Sequence, residues 1–99
     1  MATIVIVTRH NAAVEWLRRN GIVGKVIAQA TPNDVKGNDV VGVLPYWLGC
    51  LASSVTEISM PNLTLEQRQK NAQGDMTPDE MDQAGAHLQK YVVHKQEAG

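Results

Sequence analysis

The sequence predicts a mixed α/β domain built on a small, mostly parallel sheet, and three observations carry that reading. The run Ala2-Thr3-Ile4-Val5-Ile6-Val7 is β-branched and uncharged, the pattern of a strand buried on both faces in the middle of a parallel sheet. It stops at a polar turn, Thr8-Arg9-His10, and passes directly into the amphipathic stretch Ala12–Arg19, for which Asn11 is a suitable N-cap and Asn20-Gly21 a suitable stop. Further short apolar runs follow, separated by turn and helix signals. A strand, a helix and a second strand in that order form a βαβ unit.

Size and composition bound what such a chain can be. Its 99 residues, 43% apolar and 19% charged, suit one globular domain over 1–95 with a frayed tail at 96–99. Phe is absent, so the core rests on aliphatic residues helped by Trp16 and Trp47. A net charge of -1 argues against broad binding to long nucleic acid, while leaving room for a local phosphate cluster. Neither a signal-like start nor a long apolar run is present, which predicts a cytoplasmic protein with no membrane partner. Cys50 is the single cysteine, so no intrachain disulfide is available.

In the first helix, Ala13, Val14 and Leu17 are spaced to face inward, and Glu15 can pair with Arg18 or Arg19. Gly24–Ala30 reads as the second strand. Thr31–Asp39 is turn-rich and too short for an ordinary crossover helix, so a single helical turn or an irregular crossing is expected there. Val40–Leu44 is a third strand, apolar throughout, closed by Pro45. Tyr46–Ser53 is a short helix, in which Cys50 is a small core residue rather than a nucleophile. Val55–Met60 alternates as a fourth strand before Pro61. Asn62–Asp75 is the least determined stretch: Thr64-Leu65-Glu66-Gln67 has the form of a capping box, yet the residues after it lack an apolar stripe. It reads as a polar lid or as disorder. Thr77-Pro78-Asp79-Glu80 opens a last helix, whose inward stripe is Met81, Ala84, Leu88 and Tyr91 or Val92, with Lys90, His94 and Lys95 at its negative end. His87 and His94 are expected on its solvated surface.

Four strands separated by helices make a small Rossmann-like sheet of predicted order 2-1-3-4. Its switch point then falls between strands one and three, where ligands of open α/β sheets bind beyond the carboxyl ends of the strands. The loops meeting there are Thr8-Arg9-His10-Asn11 and Leu44-Pro45-Tyr46. A helix start also offers free backbone N–H groups and the positive end of a dipole, which together favour an anion. Two independent arguments thus select Arg9 and His10. The plainer alternative is a salt bridge for Arg9 and a capping or packing role for His10. No Gly-rich dinucleotide fingerprint follows strand one, and no Cys or His pair stands at ligand spacing, so neither a cofactor nor a metal is expected.

Several segments together resemble a known family: Ile6-Val7-Thr8-Arg9-His10, Glu15-Trp16, Gly21-Ile22, Gly37-Asn38-Asp39-Val40-Val41-Gly42-Val43-Leu44-Pro45 and Met81–Leu88. In this order they resemble small CRISPR-associated accessory proteins of type III systems, minimal relatives of CARF domains. The family pattern has Arg where Gln73 stands before Gly74. The resemblance implies a ring nuclease, an enzyme that degrades a cyclic oligoadenylate messenger, chiefly cyclic tetra-adenylate, and so ends the antiviral response. It implies catalytic roles for Arg9 and His10, positioning by Thr8 and Asn11, and an adenine pocket shaped by Leu44 and Pro45 with Tyr46 or Trp47 available for stacking. A homodimer is expected, since one turn grips only part of a four-phosphate ring. Two rivals stand beside this reading, a protein that sequesters the same ring uncut and a generic nucleotide-binding or partner-binding module.

Overall fold

The computed structural model describes residues 3–96. The tail expected to fray lies outside these residues apart from Gln96, as does Ala2 of the first strand run. The elements are β1 (Ile4–Val7), α1 (Asn11–Arg19), β2 (Lys25–Ile27), α2 (Pro32–Val35), β3 (Asp39–Val41), α3 (Tyr46–Gly49), β4 (Ser54–Ser59), α4 (Leu65–Gln73), α5 (Pro78–Gln83) and β5 (His87–Tyr91). They form a five-stranded sheet in the order β2-β1-β3-β4-β5, parallel except for the antiparallel β4–β5 pair. The mixed α/β class is as the sequence predicts. The order 2-1-3-4 is present and is extended by a strand that sequence reading missed.

β1 is an interior strand, with β2 and β3 as its neighbours. Because side chains alternate across a strand, β1 feeds two cores. Ile6 joins Trp16, Leu17, Val41, Met76, Met81 and Ala84 on the side of α1 and α5. Val7 packs against Val35, Val40, Leu48, Ala52 and Val55 on the side of α2 and α3. The sheet is therefore covered on both faces, which is why β1 contains no polar residue. α1 is fastened to α5 by polar contacts at its outer rim: the Trp16 indole N–H donates to Asp82 Oδ1 at 2.7 Å, and Arg19 meets Asp79 at 2.9 Å. Glu15 pairs with Arg18 at 3.2 Å.

The largest departure from expectation is the last helix. It ends after one and a half turns at Gly85, whose φ of +78° breaks the helix, with the Gly85 and Ala86 N–H groups donating to the Asp82 and Met81 carbonyls. The chain then returns as β5, pairing Leu88 with Ile58 and Tyr91 with Val55. Met81 and Ala84 are buried in the helix as their spacing requires, but Leu88 packs from the strand, and Tyr91 and Val92 are exposed. A stripe at i, i+3 and i+7 that straddles a helix stop is indistinguishable from a continuous helix, and the unpaired edge of β4 decided the matter. Lys90, His94 and Lys95 consequently do not sit at a helix end, and His87 is an exposed strand residue.

Smaller differences have local causes. β3 stops at Val41 rather than Leu44, because Gly42 turns away at φ +144° and Val43 is 80% exposed. The helix beginning at Tyr46 ends at Gly49, leaving Cys50 as its C-cap, with the thiol donating to the Trp47 carbonyl. Trp47 is 63% exposed and takes no part in the core, whereas Trp16 is 3% exposed and anchors it. In α1 the buried pair is Trp16 and Leu17, with Ala13 and Val14 only half-buried. α2 is the single turn foreseen between Thr31 and Asp39, closed by a capping box from Thr31 to Asp34. Thr31 backbone and hydroxyl hydrogen bonds hold the Asp34 carboxyl below its ordinary range.

Candidate functional site

β1 and β3 lie side by side, and each leaves the sheet toward a different face, so a gap opens beyond their carboxyl ends. In that gap is a cleft of about 580 Å³, within the ~300–1,000 Å³ of small-molecule sites. A smaller cavity of about 290 Å³, lined among others by Asp39, Ser54 and Lys90, lies toward the other end of the strands.

The large cleft has an apolar body made by Ile6, Val41, Ile58, Met60, Met76 and Met81, with a polar mouth at Thr8, Arg9, His10 and Asn71. Arg9 is its one formally charged lining residue and makes no ion pair among the described residues. No carboxylate lines it. Among the described residues, no group of three or more His, Cys, Asp and Glu side chains comes together in the manner of a metal site. A lone guanidinium beside a helix start, with no acidic neighbour in the cleft, favours an anionic ligand.

The turn that carries these groups is held from within. The His10 N–H donates to Thr8 Oγ1 at 3.1 Å, and the Thr8 N–H donates to the Ile27 carbonyl at 3.0 Å, tying the turn to β2. Thr8 is thereby a builder of the turn. The N-cap of α1 is His10, with extended backbone, rather than Asn11, which is the first helical residue. No side chain caps the helix. Its first N–H groups, which no helix can satisfy internally, are left without a side-chain acceptor.

Of the sequence-predicted residues, Thr8, Arg9 and His10 line the cleft together. Asn11, Leu44, Pro45 and Tyr46 are not in its lining; Val43 takes the place expected of the Leu44-Pro45-Tyr46 loop, because the strand ends early and carries that loop outward. Tyr46 is 84% exposed.

Sequence reading did not find the contribution of α4. This helix buries none of its side chains, in keeping with its lack of an apolar stripe, yet Thr64 and Gln67 form a full capping box and Gly74 closes it in the left-handed conformation at φ +76°. Its last turn brings Asn71, Ala72 and Gly74 into the cleft wall. The Lys70 ammonium donates to Glu80 Oε2 at 3.1 Å and ties α4 to α5. This hydrogen bond raises the Lys70 pKa and, with the Thr77 N–H, lowers that of Glu80. The available signals are the Thr64–Gln67 capping box and Gly74 seven residues after Gln67, which bound a helix even where no apolar stripe exists.

The chain is a small, mostly parallel α/β fold of Rossmann-like class, covered on both faces, with a cleft beyond the carboxyl ends of β1 and β3. A family model described as "Putative CRISPR-associated protein (Cas_VVA1548)" matches residues 5–94. The chain belongs to this family of CRISPR-associated proteins. Comparison with curated proteins and with solved structures gave no match. Among the described residues no helix is long and apolar enough to cross a membrane.

Proposed function

We propose that the protein is a ring nuclease that opens cyclic tetra-adenylate at the Thr8-Arg9-His10 turn. The observation supporting this reading most directly is the cleft itself, in which Arg9 is the sole charge, His10 stands beside it and no carboxylate competes. In RNA a ribose 2′-oxygen can attack its own 3′-phosphorus. The new bond gives a 2′,3′-cyclic phosphate, the P–O5′ bond breaks, and the 5′-oxygen leaves as a hydroxyl. Holding ribose and phosphate in line supplies much of the acceleration. Arg9 neutralises the charge that builds on the phosphoryl oxygens, with the α1 amides beside it. His10 either takes the 2′ proton or supplies one to the leaving 5′-oxygen, a contribution typically of ~10²–10⁴ in rate. No metal enters these steps.

A four-nucleotide ring is larger than the drug-sized ligands that clefts of this volume hold. We therefore place the ring across a two-fold dimer, with one cleft on each half. Val43 at the cleft, and Tyr46 and Trp47 on the segment that follows it, all exposed, supply apolar surface for that contact. Opposite linkages would then be cut, giving two linear dinucleotides.

Incubation with labelled cyclic tetra-adenylate in excess EDTA, followed by chromatography, tests the reading. Linear products with a 2′,3′-cyclic phosphate are expected. Intact ring eluting with the protein would replace cleavage by sequestration, and neither binding nor cleavage would leave a nucleotide- or partner-binding module of another kind.

A further inference from the structure

The last turn of α4 places one uncommitted amide in the cleft. Asn71 lines it, and its backbone carbonyl accepts from the Gly74 N–H at 3.1 Å. Gly74 in turn lies against the imidazole of His10, since a Cβ built on it would stand 2.6 Å from Nδ1. Asn71 is thus one helical turn from the group proposed to move protons.

Its side chain makes none of the hydrogen bonds formed among the described residues, unlike Asn20 and Asn38, whose amides donate to the Trp16 and Asp34 carbonyls. Among the described residues no buried side-chain nitrogen or oxygen lacks a partner, so the unpartnered amide of this half-buried residue keeps some exposure to solvent. An amide is neutral, which makes it a poor phosphate ligand beside Arg9. It carries a donor and an acceptor side by side, the complement of the adenine edge on which the 6-amino group adjoins N7; inosine presents two acceptors there and cannot pair with both amide atoms. The neighbouring wall, made by Ile58, Met60, Ala72 and Met76, is apolar and without charge, and suits the face of a purine.

We infer that Asn71 is the base-reading residue of this cleft, pairing with the edge of an adenine while Arg9 holds an adjoining phosphate. The inference rests on the ring-nuclease or ring-binding reading above and names its specificity determinant. It also gives α4 a role that its lack of buried side chains leaves unexplained: the helix is built for its last turn, with its capping box and its tie to Glu80 fixing where that turn stands.

The test compares the wild-type protein with Asn71→Ala and Asn71→Asp on two probes, cyclic tetra-adenylate and the cyclic tetra-inosinate in which each 6-amino group is an oxygen. Circular dichroism and thermal melts establish that the variants fold. The wild type should prefer the adenine ring by roughly ten- to a hundredfold in kcat/KM, or in Kd if it only binds. Asn71→Ala should lose most of that preference, by weakening its use of the adenine ring far more than of the inosine ring. Asn71→Asp keeps the acceptor and loses the donor, and should not restore it. A wild-type preference that persists undiminished in folded Asn71→Ala overturns the assignment while leaving the ring reading intact. Failure of the wild type to bind or cut either ring removes both.

Discussion

Gly74 and His10 are in backbone-to-ring contact: a methyl group on Gly74 would stand 2.6 Å from His10 Nδ1 and 3.1 Å from Cε1. The contact exists because Gly74 adopts φ +76°, which brings the end of α4 down onto the turn after β1. Gly21, at the end of α1, has nearly the same φ of +81° but nothing within 4 Å of an added Cβ. The pair separates backbone strain from contact with the site. Both Gly74→Ala and Gly21→Ala should lose roughly 1–2 kcal/mol of stability in denaturant melts. Only Gly74→Ala should also lower the rate of ring opening, by turning the imidazole away, and equal activity in the two variants would separate His10 from the chemistry.

Arg9→Ala and His10→Ala should fail differently. Charge neutralisation acts on bound ring and transition state alike, so Arg9→Ala should raise KM and lower kcat, the latter by ~10²–10³ as for other preorganised donors. His10→Ala should act mainly on kcat. Single-turnover kinetics with binding measured separately distinguishes these outcomes, and wild-type rates in both variants would remove the site from this turn.

The tie between α4 and α5 carries a pH signature. The Lys70 hydrogen bond and the Thr77 backbone hold the folded Glu80 carboxyl below its ordinary 4.5, so its contribution to stability is fully present above that value and is lost as pH falls through the depressed one. The raised Lys70 ammonium contributes fully below its ordinary 10.5 and loses its contribution as pH rises through the raised value. Glu80→Gln keeps the cap acceptor but not the charge. Its melting temperature should lie below wild type at neutral pH and converge with it in acid; a gap that stays constant from neutral pH to pH 3 would argue against the ion pair. Lys70 and Glu80 are only part-buried, so the gap should also narrow with added salt.

The two tryptophans should report separate environments. Trp16 is buried with its indole N–H on Asp82, and Trp47 is exposed. Emission of a Trp47→Phe protein should be blue-shifted and protected from acrylamide, and that of Trp16→Phe red-shifted and readily quenched. Trp16→Phe should also cost about 1 kcal/mol through the lost hydrogen bond. If Trp47 lies at the proposed dimer contact, its quenching in wild type should fall as protein concentration rises, and sedimentation should shift from monomer to dimer over the same range.

By itself the sequence determined the α/β class, the buried interior strand β1 and the Thr8-Arg9-His10 turn, because each rests on local chemistry: β-branched residues without charge, a polar stop and an amphipathic helix start. It also determined the CRISPR-associated family, whose model matches residues 5–94. Tertiary structure decided what depends on partners distant in the chain. Leu88 fits the period of a helix and of a strand equally, and the free edge of β4 drew it into β5. Val43 rather than Leu44, Pro45 or Tyr46 lines the cleft because Gly42 ends β3 early. Asn71 and Gly74 belong to a helix with no apolar stripe, so hydrophobic periodicity could not place it; they reach the cleft because Gly74 lacks a side chain where the ring of His10 stands.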